Sequence, residues 1–236
     1  MQAPLRVHWI RHGKVASHRG DMPVTEEGLQ QVEAAGQQLR SELADGEVIY
    51  LLHTTTRRSR ETAYRLYRTL TTQEEDEQRV QVTVLEPAEQ QAIRNPDIYV
   101  AGARTEMVST PEALLEQLPG SHLTSEDLLR HPFLCGFWID PDRIGYWVNH
   151  PDPPGEDADT VARRLFTFAT SLRDLPSEAP RRYLCITHSP LIRAFVRRYI
   201  SGADPGEPHF VESADMLFSP NGPLTLRFRD QVRREE

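Results

Sequence analysis

The segment LRVHWIRHG, Leu5 to Gly13, passes from an apolar run directly into arginine, histidine and glycine. The run Leu5–Ile10 is short and apolar, which favours a buried strand. Groups that follow a parallel strand lie at the carboxyl edge of the sheet, where ligands bind in α/β proteins. The segment therefore predicts a strand whose end carries functional side chains.

Further short apolar segments, with polar, proline or glycine residues at their ends, also favour strands. They are Val48–His53, Val80–Leu85, Tyr183–Thr187, Asp215–Ser219 and Leu224–Phe228. Four segments show helical patterns: one from a Thr25 cap to Leu43, and those at 57–70, 159–175 and 189–200. The last of them has Ser189 as its cap and Pro190 in the first helical position. A tight connection is expected at Pro220-Asn221-Gly222-Pro223.

This alternation of strands and helices predicts a three-layer α/β/α sandwich with a mostly parallel sheet of about six strands. Residues 1–236 then form a single domain, with Glu86–Pro154 inserted in it. The inserted stretch contains Trp138 and Trp147 and a helical pattern, Pro111–Leu118, that follows Thr110 as its cap. We interpret it as a cap that sets substrate specificity; the alternative is a satellite core without a role in binding.

Composition narrows the class of protein. With 236 residues, 38% of them hydrophobic, the chain can bury a sizeable core. Its net charge of −8 argues against binding to nucleic acid or anionic membranes. Two cysteines do not suggest a disulfide scaffold, and neither a signal peptide nor an apolar run of spanning length is apparent. We therefore expect a soluble cytoplasmic protein.

Candidate functional groups follow four of the predicted strands. They are Arg11 and His12, Arg58, Glu89 and His188. Parallel strands would bring them to one cleft, where guanidinium groups bind phosphate oxygens and the helix that Ser189 opens directs its first amides toward an anion. No HxH, HExxH or Cys/His spacing suggests a metal site, so neither a metal nor another cofactor is predicted.

The same residues resemble the histidine phosphatase superfamily, also called phosphoglycerate-mutase-like. Its signature Arg-His-Gly is complete at Arg11-His12-Gly13, and the segment 21–28 (DMPVTEEG) resembles its D-x-P-L-T-x-x-G motif. TTTRRSRETA at 54–63 places Arg58 four residues before Thr62-Ala63, and Ile186-Thr187-His188 resembles the motif of the second family histidine.

The resemblance implies a role for each residue. His12 is the nucleophile that becomes phosphorylated, while Arg11, Arg58 and His188 bind the phosphoryl group. Glu89 is the acid and base, with Glu86 as a rival in the same segment. His18 replaces an asparagine that touches the phosphoryl group in many members, and Lys14 follows the signature; both are candidate phosphate contacts, as is Ser189.

The expected activity is metal-independent hydrolysis of a phosphoric monoester, a small phosphorylated metabolite, through phosphohistidine. One alternative is a cofactor-dependent phosphoglycerate mutase, although the R-x-Y-G-type segment of mutases is not found. A second alternative is a non-catalytic protein that binds a phosphorylated ligand. The hairpin at 214–228 would offer either an edge strand for a homodimer or an edge that is covered.

Overall fold

An eight-stranded sheet forms the centre of the computed structural model, which describes residues 3–18, 20–72, 80–175, 177–220 and 222–235. Its strands are β1 (Leu5–Arg11), β2 (Val48–His53), β3 (Thr83–Val84), β4 (Ala88–Glu89), β7 (Arg181–Thr187), β8 (Ser213–Phe218), β9 (Leu224–Phe228) and β10 (Gln231–Glu235). The order is β10-β9-β8-β1-β7-β2-β3, and β4 also pairs with β2. Strands β5 (Asp97–Val100) and β6 (Ala103–Glu106) form a separate hairpin.

The parallel part of the sheet carries the ends of β1, β2 and β7. β7 lies between β1 and β2 and is parallel to both, and β3 and β4 are parallel to β2. β8, β9 and β10 extend the other side in antiparallel pairing. The predicted mostly parallel α/β fold is confirmed, with eight strands in the sheet instead of six.

Two strands of the sheet were not predicted from the sequence, and one predicted strand is shorter than expected. β10 (QVRRE) is polar and largely exposed, and β4 has two residues, so neither shows an apolar pattern. The segment predicted as Val80–Leu85 pairs through Thr83 and Val84 alone, at the margin of the sheet. β10 pairs with β9, so the hairpin of β8 and β9 does not form the edge of the described sheet.

Helices cover both faces of the sheet. They are α1 (Glu26–Arg40), α2 (Arg57–Thr71), α3 (Pro111–Leu115), α4 (Ser125–Leu129), α5 (Pro132–Ile139), α6 (Arg143–Asn149), α7 (Ala158–Arg173) and α8 (Ser189–Val196), which continues as a π-helical turn over Arg197–Ser201. Residues of α1 and α2 pack in a core with Ile10, Leu184 and Ile186. Residues of α7 and α8 pack on the opposite face with Trp9 and Cys185, which completes the three layers.

The helix starts follow the sequence closely, with one shift. Thr25 caps α1 by accepting a hydrogen bond from the Gly28 amide at 3.0 Å, as expected. At α8 the cap is His188 and not Ser189, because the backbone of His188 is still extended (φ −129°, ψ 159°). Ser189 is thus the first helical residue. The expected connection at 220–223 contains Asn221, which lies outside the described residues.

The stretch 86–154 packs on the sheet and does not form a core of its own. Ile98, Leu114, Phe133 and Trp147 belong to the same buried cluster as Trp9 of β1. Thr110 caps α3 as predicted, with its hydroxyl 3.3 Å from the Ala113 amide. Separately, in the part of the chain that the structure describes, every helix is too short or too polar to cross a membrane.

Candidate active site

The Arg-His-Gly segment is held between two strands and α2. The His12 amide donates to the carbonyl of Thr187, the last residue of β7, at 3.0 Å. The Gly13 amide donates to Oγ1 of Thr62 at 2.9 Å, and that hydroxyl donates to the Arg58 carbonyl at 2.7 Å. These bonds connect the first signature to the segment that carries Arg58.

The start of α1 packs closely against this loop. The Thr25 amide donates to the Lys14 carbonyl at 2.8 Å. A Cβ atom on Gly28 would lie 2.5 Å from that carbonyl oxygen, so a side chain there would displace the loop. The motif at 21–28 therefore fixes the backbone that follows His12.

Three histidine rings meet at the end of β1. The ring centroid of His12 lies 5.3 Å from that of His188 and 5.8 Å from that of His18. Nδ1 of His12 is 2.8 Å from the Gly13 carbonyl oxygen. Because a carbonyl can only accept, Nδ1 carries the proton, which leaves a lone pair on Nε2. His12 is therefore oriented as a nucleophile.

Burial is the main cause that keeps these imidazoles neutral. It lowers the pKa of His12 to about 3, with further lowering by the charges of Arg58 and Arg11. Burial also lowers the pKa of His188 far below the usual value, again with Arg58 contributing, and lowers that of His18. Nε2 of His188 lies 3.0 Å from Oγ1 of Thr54, whereas its buried Nδ1 has no hydrogen-bond partner among the described residues.

The two predicted arginines lie beside the histidines. Arg11 is buried, its guanidinium lies 4.2 Å from the centroid of the Phe210 ring, and its Nη2 is 2.6 Å from Oε1 of Glu207. The side chain of Arg58 is 14% exposed, with Nη1 4.0 Å from Oδ1 of Asp21. Burial lowers the pKa of both guanidinium groups, yet arginine remains charged at neutral pH.

These groups surround a cavity of about 480 Å³. Six of the predicted site residues line it: Arg11, His12, His18, Arg58, His188 and Ser189. An apolar wall from the inserted stretch faces them, made of Met107, Val108, Phe137, Pro141 and Ile144. Trp138 and Trp147, in contrast, pack with the core and do not line this cavity.

Two predicted site residues lie elsewhere. Nζ of Lys14 is 2.6 Å from Oε2 of Glu27, in an ion pair outside the cavity lining. Glu89 is exposed at the end of β4, and its Oε1 accepts from Nε2 of Gln91 at 2.6 Å. Its rival Glu86 is exposed too. The structure therefore places neither Lys14 nor Glu89 in the lining of the cavity that holds His12: an ion pair binds Lys14 to Glu27, and Glu89 is exposed on the short strand β4.

Glu207, which no pattern in the sequence indicated, lines the cavity from the loop between α8 and β8. That loop has no periodic pattern. The usable signal was topological: β8 is antiparallel to β1, and Ser213 at its start pairs with Ile10. The chain that precedes β8 therefore enters at the edge where the parallel strands end. Asn95, another lining residue, follows a short 3₁₀ turn at Gln91–Ile93 and had no signal.

Comparisons with known proteins agree with this geometry. The family model "Histidine phosphatase superfamily (branch 1)" matches residues 7–82, which hold the signature, Arg58 and the contacts between them. The predicted resemblance to the histidine phosphatase superfamily is confirmed. Members of this superfamily include phosphatases and phosphoglycerate mutases. No protein with a curated description matches the sequence.

Solved structures share the fold of this chain over nearly its whole length. A phosphoglycerate mutase from Bacillus anthracis has a TM-score of 0.54 at 15% identity, over 97% of this chain and 93% of that one. A mycobacterial glucosyl-3-phosphoglycerate phosphatase has a TM-score of 0.52 at 16% identity, over 91% and 90%. A protein described as mycobacterial hydrolase 2 has a TM-score of 0.55 at 16% identity, over 100% and 91%.

Proposed function

We propose that this protein hydrolyses phosphoric monoesters through a phosphohistidine on His12. The observation that carries this proposal is the hydrogen bond from Nδ1 of His12 to the Gly13 carbonyl, which leaves the lone pair on Nε2, in one cavity with two arginines and a second histidine. The lowered pKa of His12 supports it, because a neutral ring keeps that lone pair available. Such a set binds a tetrahedral oxyanion and offers it a nucleophile.

In the first step the phosphoryl group binds between the guanidinium groups of Arg11 and Arg58. His18 and His188 border the same space, as does Ser189 in the first turn of α8. Nε2 of His12 attacks phosphorus in line and the bond to the ester oxygen breaks. The arginines stabilise the charge that develops on the phosphoryl oxygens, and such preorganised donors are commonly the largest contribution to catalysis.

In the second step water attacks the phosphorus of phosphohistidine. The P–N bond breaks, its electron pair returns to Nε2, and inorganic phosphate leaves. The hydrogen bond from Nδ1 of His12 to the Gly13 carbonyl holds the ring in the same tautomer and orientation for both steps.

The wall of the cavity supports hydrolysis of an ester with an organic leaving group over phosphoglycerate mutation. Met107, Val108 and Phe137 present apolar surface opposite the phosphate-binding residues. The carboxylate and hydroxyl of a phosphoglycerate gain nothing from these three side chains. The polar residues that the same stretch adds to the lining are Asn95, Ser109, Asp142 and Arg143. The stretch 86–154 would accordingly select the leaving group.

A panel of phosphomonoesters tests the proposal, with wild type compared with His12→Ala. We expect turnover of aryl phosphates that is lost in the variant, and no conversion of 3- to 2-phosphoglycerate primed with 2,3-bisphosphoglycerate. Efficient mutase activity would contradict the proposal. So would the failure of any phosphate to turn over, which would favour a binding protein.

A further inference from the structure

The proposed reaction needs a proton donor for the ester oxygen and a base for water, and Glu89 does not line the cavity that holds His12. Within the residues that the structure describes, the carboxylates that line the cavity of His12 are Asp142 and Glu207. Asp21, Glu106 and Glu116 line a neighbouring cavity, which shares Arg58 and His18 but is not lined by His12.

Asp142 is committed to a structural role. Its Oδ1 accepts from the Gly145 amide at 2.9 Å, which caps α6. Both of its oxygens also bind the buried guanidinium of Arg193, at 2.7 and 2.6 Å. These hydrogen bonds to Arg193 hold the pKa of Asp142 below its usual range. A carboxylate held in this way is a poor proton donor.

Glu207 contacts Arg11 and Ser189, the residues next to His12 and His188 in the sequence. Oε1 is 2.6 Å from Nη2 of Arg11, the neighbour of His12. Oε2 accepts from the hydroxyl of Ser189, the neighbour of His188, at 2.5 Å, and lies 3.4 Å from Nη1 of Arg193, a longer contact than the two that Arg193 makes to Asp142. The Glu207 side chain is 48% exposed, so it can move toward solvent, and a bound phosphoryl group then replaces it as the partner of the buried Arg11.

We propose that Glu207 is the general acid and base of the phosphoryl transfer. This inference rests on the proposed function. In-line attack places the leaving oxygen on the side of phosphorus opposite to Nε2 of His12, so the donor does not have to touch His12. A phosphoryl group that binds Arg11 displaces the Glu207 carboxylate from that guanidinium. The displaced carboxylate then lies directly beside the phosphoryl group.

The proton balance is simple. The Glu207 carboxyl gives its proton to the ester oxygen as the P–O bond breaks and phosphohistidine forms. The resulting carboxylate takes a proton from water as the water oxygen attacks phosphorus. The P–N bond then breaks, inorganic phosphate leaves, and the carboxyl group is restored for the next cycle.

The proposal is tested by comparing how much Glu207→Gln slows the cleavage of two kinds of ester. An aryl phosphate expels a stable phenolate without a proton, whereas the alkoxide of an alkyl phosphate needs one. We expect the first-turnover cleavage of an alkyl phosphate to fall by about 10²–10⁴-fold. Cleavage of p-nitrophenyl phosphate should fall by less than about tenfold in the first turnover. The variant should then stall and accumulate phosphohistidine, since water lacks its base.

Two further variants sharpen this result. Glu212→Gln changes a carboxylate of the same loop that binds Arg229 and does not line the cavity, so both substrates should respond alike. Glu89→Gln tests the rival. Equal losses on both substrates in Glu207→Gln, no loss on either, or a leaving-group effect that appears in Glu89→Gln instead would overturn the assignment.

Failure of this inference differs from failure of the proposed function. If wild type forms phosphohistidine on His12 and Glu207→Gln shows no leaving-group dependence, the acid is another group and the phosphatase proposal stands. If wild type forms no phosphohistidine and His12→Ala retains turnover, the proposed function itself fails.

Discussion

The chemistry of His12 depends on which ring nitrogen carries its proton. The neighbouring Gly13 carbonyl settles this, because it can accept a hydrogen bond only from a protonated Nδ1. Burial and two nearby arginines then keep the ring neutral, with a pKa of about 3 in the folded protein. One backbone hydrogen bond and the positive charges of the nearby arginines thus prepare Nε2 as the nucleophile.

Arg58 offers a direct test at the scale of one residue. We expect Arg58→Ala to lower kcat/KM for an aryl phosphate by about 10–100-fold, because charge-assisted hydrogen bonds contribute about 1.5–3 kcal/mol. Arg57→Ala is the matched control, since its side chain is half exposed and pairs with Glu61. Steady-state kinetics that show equal effects for the two variants would place Arg58 outside phosphate binding.

The order of elements explains how distant residues meet. β1, β7 and β2 are adjacent and parallel, so the segments after them carry His12, His188 and Arg58 to one edge. α1 then supports the loop after His12 through close backbone contact at Gly28. The site therefore depends on packing between elements as much as on the site residues themselves.

Gly28→Ala tests this support. Alanine usually stabilises a helix relative to glycine, yet here its Cβ would lie 2.5 Å from the Lys14 carbonyl oxygen. We expect overpacking to lower the free energy of unfolding by about 1–3 kcal/mol and to reduce activity as the loop shifts. Gln30→Ala, on the exposed face of α1, should leave both unchanged. Urea unfolding would contradict the account if Gly28→Ala proved more stable than wild type.

Some elements of this fold can be predicted from the sequence with their observed bounds, and others cannot. Val48–His53 and Leu224–Phe228 were predicted with their observed bounds because their patterns are apolar and their ends are marked. Groups directly after such strands, such as His12 and His188, could be placed with them. Glu89 could not, because two-residue β4 gives no periodicity from which its orientation follows. Glu207 could not either, since its place depends on where an irregular loop enters the sheet.

At the scale of the whole molecule, the site places neutral histidines in the interior of the fold. His12 and His188 are 2% and 3% exposed, and burial lowers the pKa of both. In the unfolded chain their pKa returns to about 6.5. Below that pH the unfolded chain takes up protons that the native protein does not, so stability falls as the pH falls.

This linkage predicts a measurable loss in mild acid. Between about pH 7.5 and pH 5, His12 alone should lower the free energy of unfolding by about 2 kcal/mol. Urea unfolding of His12→Asn at both pH values should show a smaller loss than wild type by about that amount. His122→Asn, at an exposed position, controls for the substitution itself. An identical pH dependence in wild type and His12→Asn would show that His12 is not held neutral by the fold.

In the proposed mechanism the phosphoryl group passes through His12. Rapid acid-free quenching of the enzyme during turnover of p-nitrophenyl phosphate, followed by mass spectrometry of its peptides, tests this most directly. We predict one phosphoryl group, labile in acid, on the peptide that contains His12, and none on that peptide in His12→Ala. Phosphorylation of a different residue, or turnover with no phosphorylated peptide at any time, would contradict the account.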